Sequence, residues 1–137
     1  MVQDATLSRD IWTAVRTALV AATIQVTDGT VKNATVAAAY NDQKTSSPQI
    51  IIYPIDVDES VWKFGSNQGK KFINLPLEIY YSNTLGLDQL DDKVRELIKE
   101  TEIPGIELVG ITSAYSYTNP ALVKYHTKLI NLTYDRE

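Results

Sequence analysis

Between Phe72 and Tyr81 the chain reads FINLPLEIYY and alternates without a break, with Ile73, Leu75, Leu77, Ile79 and Tyr81 in one phase and Phe72, Asn74, Pro76, Glu78 and Tyr80 in the other. Period two is the repeat of a β-strand, because successive side chains leave the backbone on opposite faces; here one face meets a core and the other a more polar surface. Such a strand needs a sheet beside it and a second layer over its apolar face. Pro76 has no N–H to give to a ladder, so an edge or a bulge is expected near it.

Other stretches can supply the sheet. Ile50 to Tyr53, between Pro48 and Pro54, is a short apolar run that reads as a buried strand, and Val31 to Tyr40 is rich in Val, Thr and Ala. Ile106 to Tyr117 and Leu122 to Tyr134 are two long strand candidates joined by TNPA, so they are expected to pair as a hairpin. In the last of these the apolar phase moves from Val123, Tyr125 and Leu129 to Ile130, Leu132 and Tyr134, which predicts a bulge near Leu129.

The second layer comes from two segments of helical period. From Leu7, the positions Leu7, Ile11, Val15, Ala18, Leu19 and Ala22 fall three or four apart, with Ser8 as a candidate cap and Asp10 in the first turn. From about Leu87 to Thr101, the positions Leu87, Leu90, Val94, Leu97 and Ile98 repeat that spacing. Asp88, Asp91, Asp92, Lys93, Arg95, Glu96, Lys99 and Glu100 are expected on the solvent side. An acidic start and Lys99 near the end suit the helix dipole, and Pro104 and Gly105 end the segment. The expected fold is α+β: a mostly antiparallel β-sheet with two amphipathic helices packed on one face, in the order α-β-β-β-α-β-β. At 137 residues this is one domain, 1–137.

Composition excludes several kinds of function. A net charge of −4 argues against a protein whose main task is neutralising duplex DNA, which requires a dominant basic face. Without cysteine there is no disulfide, thiolate metal site or cysteine nucleophile. MVQDATLSRDIW lacks the basic start and apolar run of a secretion signal, and no apolar stretch approaches the ~20 residues that cross a bilayer, so no membrane partner is expected.

The one loop that invites a chemical reading is GSNQGKK, from Gly65 to Lys71. A phosphate-binding loop needs G-x-x-x-x-G-K-[ST] leading into a helix, so that backbone N–H groups and the helix N-terminus hold the phosphates. Here the two glycines stand one residue too close, Lys71 replaces the hydroxyl residue, and a strand follows. The loop reads as flexible and basic, through Lys63, Lys70 and Lys71. His126 is the only histidine, with no nucleophile marked nearby, and reads as a surface or partly buried strand residue. Asp56, Asp58 and Glu59 in IDVDES lack the glycine and closing glutamate of a calcium loop and read as a solvated acidic turn. No cofactor and no catalytic set is expected. Of the eight tyrosines, Tyr80, Tyr115, Tyr117 and Tyr125 lie on the strands that could meet a neighbour; the alternative is core or cross-strand packing.

Taken together, the helix LSRDIWTAVRTALVAA, the proline-bounded strand SPQIIIYP, the alternating strand KKFINLPLEIYYSN, the acidic helix LDQLDDKVRELIKE and the closing strand LINLTYDRE resemble the tail terminator, or tail completion, proteins of long-tailed viruses. The resemblance covers nearly the whole chain and lies in the order and length of elements. It implies a non-enzymatic virion protein of the tail or neck, assembled in the host cytoplasm. Such a protein forms a homohexameric ring on the tail tube protein, stops tube polymerisation and joins the tail to the head connector. The basic loop would then contact an adjoining ring or genomic DNA in the lumen, or remain a solvated hairpin loop. The alternatives are another neck, head–tail joining or tube protein, a non-viral subunit-interaction module, and a small-ligand-binding α+β domain.

Overall fold

The structure, a computed structural model, describes residues 4–38, 48–61, 69–116 and 126–136. Its element order is α1 (Asp4–Ala22), β1 (Gln25–Asp28), β2 (Thr30–Asn33), β3 (Thr35–Ala38), β4 (Gln49–Ile52), β5 (Asp56–Val61), β6 (Gly69–Tyr81), α2 (Thr84–Glu100), β7 (Ile106–Tyr115) and β8 (His126–Arg136). The fold is α+β, with a mostly antiparallel sheet and both helices on one face. The sheet runs β3-β4-β6-β8-β7, with β5 beside β6 and only the β3–β4 pair parallel; β1 and β2 form a separate hairpin.

Strand β6 organises the rest. Ile73, Leu75, Leu77, Ile79 and Tyr81 are all buried, as the alternation requires, and pack against Ile11, Val15 and Leu19 of α1 and Leu87, Leu90, Val94 and Ile98 of α2. Each fully buried aliphatic side chain contributes about 2 kcal/mol of hydrophobic stabilisation, so this one strand carries a large share of the core. Pro76 makes no bulge, and the expected edge is present locally, on one side of the strand. On one side its strand pairs continuously with β8, Pro76 facing Asn131. On the other side β4 ends opposite Leu77 and β5 begins opposite Asn74. The Pro76 carbonyl accepts from Tyr53 N–H at 3.1 Å, so its nitrogen, which points the same way, faces the break between the two strands. The missing donor costs no ladder bond.

Several expectations are corrected. Helix α1 starts at Asp4, so Ser8 lies inside it rather than capping it, and Asp10 falls beyond the first turn; Ala22 is exposed. Helix α2 starts at Thr84, where the Asn83 side chain caps it by accepting from Gly86 N–H at 2.7 Å, and its first turn holds no acid. The Val31–Tyr40 strand is two strands in two sheets, β2 and β3, parted at Ala34. β2 folds back on β1 through Gly29 at φ +73, a left-handed position that glycine tolerates. IDVDES is not an acidic turn: Asp56, Asp58 and Glu59 belong to β5, a regular partner of β6. The hairpin of β7 and β8 forms as expected, but the bulge sits in β7 at Val109 and not near Leu129 of β8. Leu129 simply faces the side of the sheet away from the helices. The TNPA turn lies outside the described residues.

Candidate functional site

Among the described residues, those singled out from sequence do not converge. Lys70 and Lys71 are not in a loop: β6 begins at Gly69, and they stand in register with Ser60 and Glu59 of β5. Lys63, Tyr117 and Tyr125 lie outside the described residues. Tyr80 is buried on the face away from the helices, where Tyr53 donates its hydroxyl to Glu78, and burial and then Glu78 push the Tyr80 phenol far above its ordinary range. Tyr115 is half-buried on the helix side and engaged there. Tyr80 and Tyr115 are thus each engaged within the subunit. His126 opens β8 and is exposed.

What the fold does bring together is a polar cluster between α2 and the β7–β8 pair. Helix α2 buries Asp91, only 2% exposed, on the stripe of Leu87, Leu90, Val94 and Ile98. From β8, Lys128 points to the helix side, in phase with Ile130, Leu132 and Tyr134. Its Nζ lies 2.9 Å from Asp91 Oδ2 and 2.8 Å from Asp88 Oδ1. Ser113 of β7 donates its hydroxyl to Asp91 Oδ2 at 3.2 Å, and Arg95 donates Nε to Asp91 Oδ1 at 3.1 Å. Tyr115, also on β7, donates its hydroxyl to Asp88 Oδ1 at 2.5 Å, and the Lys128 ammonium stands 4.6 Å from the centroid of its ring. Three elements therefore share one charge network.

The electrostatics follow from these contacts. Burial works against the Lys128 ammonium, but hydrogen bonds to Asp88 and Asp91 outweigh it and hold its pKa above the ordinary 10.5. Hydrogen bonds from Lys128 and Tyr115 keep Asp88 below the usual carboxylate value of 3.8, and the bond to Asp88 raises the Tyr115 phenol. Lys128 is thereby held as an ammonium and Asp88 as a carboxylate. That is the opposite of a general acid or base, which needs a pKa moved toward neutrality. Among the described residues, no group of three or more His, Cys, Asp and Glu is arranged to hold a metal ion. The cluster does structural chemistry: it ties α2 to β7 and β8 in one register, at a desolvation cost that its hydrogen bonds offset.

Sequence inspection placed Asp91 on the solvent face, yet its position was the available signal. Asp91 is four residues after Leu87 and three before Val94, inside the apolar stripe. Lys128 likewise continues the inward phase of Ile130, Leu132 and Tyr134. A charge on each of two apolar stripes is what a buried ion pair looks like in one dimension.

Two concavities flank this region. One, of about 830 Å³, lies between the end of α2 and the start of β7, lined by Thr101, Glu102, Ile103, Glu107 and Tyr134 among others. A smaller one, of about 260 Å³, lies beside the β7 bulge, where Arg95 and Lys99 of α2 meet Leu108, Val109, Gly110 and Ile111. The chain matches no family model and no curated protein sequence.

Proposed function

We propose that this protein is a structural ring subunit of the tail-terminator kind, which caps the tail tube of a long-tailed virus and joins it to the head connector. The observation that carries this reading is the sheet itself. Helices cover one face, while the strand path ends on β7, ten residues long, with no second strand partner among the described residues. A long open edge in a soluble fold is a pairing hazard unless a neighbour covers it, and a homo-oligomeric ring does so for every subunit at once.

The charge cluster supports a mechanical role. Its groups are mutually satisfied and hold the open-edged strand rigidly to α2, as a subunit that transmits load across a ring requires. On this reading the ring covers the last tube ring with one face and offers the other to the connector. On the same reading, the basic residues Lys63, Lys70 and Lys71 meet an adjoining ring or DNA in the lumen.

Electron microscopy of the purified protein with and without tail tubes tests the proposal. Six-fold rings, and tubes capped at one end, are the expected outcome; a monomer that leaves tube growth unchanged removes it. The concavity of about 830 Å³ favours one other reading, a small-ligand-binding domain, for which a metabolite would raise Tm in a thermal-shift screen.

A further inference from the structure

Among the described residues the sheet has two open edges, and they match. One is β7. The other is stepped: β3 forms its upper part and β5, one strand further in, its lower part, each with a single strand partner among the described residues. Both run antiparallel to β7, because β3 is parallel to β4, β4 and β5 oppose β6, β6 opposes β8, and β8 opposes β7.

The edges also lie at equal heights. A single row crosses the sheet through Ala37, Ile51, Glu78, Leu129 and Ala114, so β3 is level with the upper half of β7. A second row passes through Val57, Ile73, Tyr134 and Leu108, which sets β5 level with the lower half. A copy rotated about an axis along the strands keeps its strand direction and its height. Its β3 therefore arrives beside β7 in antiparallel sense without axial displacement, the condition for a closed ring rather than a helical filament.

At the lower height β5 is set back from the edge by one strand, about 4.8 Å, so a backbone ladder between copies is confined to the upper half.

We propose that a second copy of this chain adds its β3 edge to the Thr112–Tyr115 half of β7, head to tail. This rests on the ring reading but goes further, since it says which surfaces meet. The upper contact is suited to close backbone approach: Thr112 and Ala114 are small and exposed, and Ala37 is half-buried.

The chain has no cysteine, so paired cysteines test the contact cleanly. Ala37→Cys with Ala114→Cys in one chain, oxidised and run without reductant, is expected to give a ladder of covalent oligomers. A mixture of the two single variants should stop at dimers, and either single variant alone should stay monomeric. Thr112→Cys replaces Ala114→Cys as a second pair, covering a two-residue slip in register. Rings seen by microscopy without cross-linking by either pair would overturn this inference and leave the ring reading standing. Self-linking of Ala114→Cys alone would replace it with a two-fold β7–β7 contact. A monomer at all concentrations would end both.

Discussion

The two halves of the core lie under the same sheet and are built on opposite principles. Beneath α1, the layer formed by Ile11, Val15, Leu19, Ile50, Ile52, Leu77 and Ile79 is wholly apolar. Beneath α2, toward β7, the same layer admits Lys128, Asp91, Asp88, Ser113 and Tyr115. The boundary is sharp: Lys128 stands in register with Ile79 on the next strand. The apolar half gains stability in proportion to area and tolerates some rearrangement. The charged half gains little net energy and permits only arrangements that keep every partner in place. The charged half is the one that carries β7, whose outer edge has no strand partner among the described residues.

The largest expected effect belongs to the apolar half. Leu77→Ala removes a fully buried side chain from the core cluster and should cost about 4 kcal/mol in denaturant unfolding, with little change between pH 5 and 9. In the charged half, Asp91→Ala leaves Lys128 with Asp88 alone and should cost about 3 kcal/mol. The contrast appears in the double variant. Asp91→Leu with Lys128→Met should recover most of that loss, because removing both charges also removes the desolvation cost. If the double variant is as unstable as the sum of the singles, the network is not the unit described above.

A smaller effect is expected at Gly86, where α2 begins against the core. A Cβ there would fall 2.2 Å from Tyr81 Cε2 and 3.1 Å from Val26 Cγ1, so Gly86→Ala must displace the ring and should cost about 2 kcal/mol in the same unfolding measurement. Amide exchange should quicken in the β1–β2 hairpin, which α2 holds through Gln89, accepting from Thr27 N–H at 3.0 Å, and through Lys93, donating to the Gln25 carbonyl.

The smallest effects are those of pH, and their signs differ. Asp88 has a depressed pKa in the folded protein, so its contribution is present above 3.8 and is lost as pH falls through the folded value; Asp88→Asn should flatten that acid limb of Tm against pH. Lys128 and Tyr115 have raised values, so their contributions are full below 10.5 and 10.0 respectively and fade as pH rises through the folded pKa. Tyr134, pushed up to about 12 by burial alone, steepens the same alkaline limb. Lys128→Met should therefore change the alkaline limb of Tm against pH, whereas Leu77→Ala should shift the whole curve without changing its shape.

Much of the fold could be read without coordinates because it depends on periodicity. The alternation around Leu77, the stripes of Ile11, Val15 and Leu19 and of Leu87, Leu90 and Val94, and the apolar run at Ile50 each report a burial pattern that only one local geometry satisfies. The readings that failed concern pairing and ends. IDVDES looks like a turn because its charges suit solvent, but an edge strand is itself half-solvated, and β6 offered it a ladder. Ser8 suits a cap by residue type, yet the helix continues back to Asp4. Val31 to Tyr40 reads as one continuous strand by composition, yet it divides at Ala34 between two sheets.

By itself, then, the amino-acid order determined which residues are apolar, at what period, and so the α+β class and the two-layer arrangement. It also placed a charge on each of two apolar stripes. Only the tertiary structure decided that Asp91 and Lys128 meet, that Pro76 faces a break between strands, and that the edges of β3 and β7 lie level and antiparallel. These are relations between residues far apart in the chain, such as the 37 that separate Asp91 from Lys128. Periodicity reports which way a side chain points, but not what stands opposite it; register supplies that, and register exists only once the strands have paired.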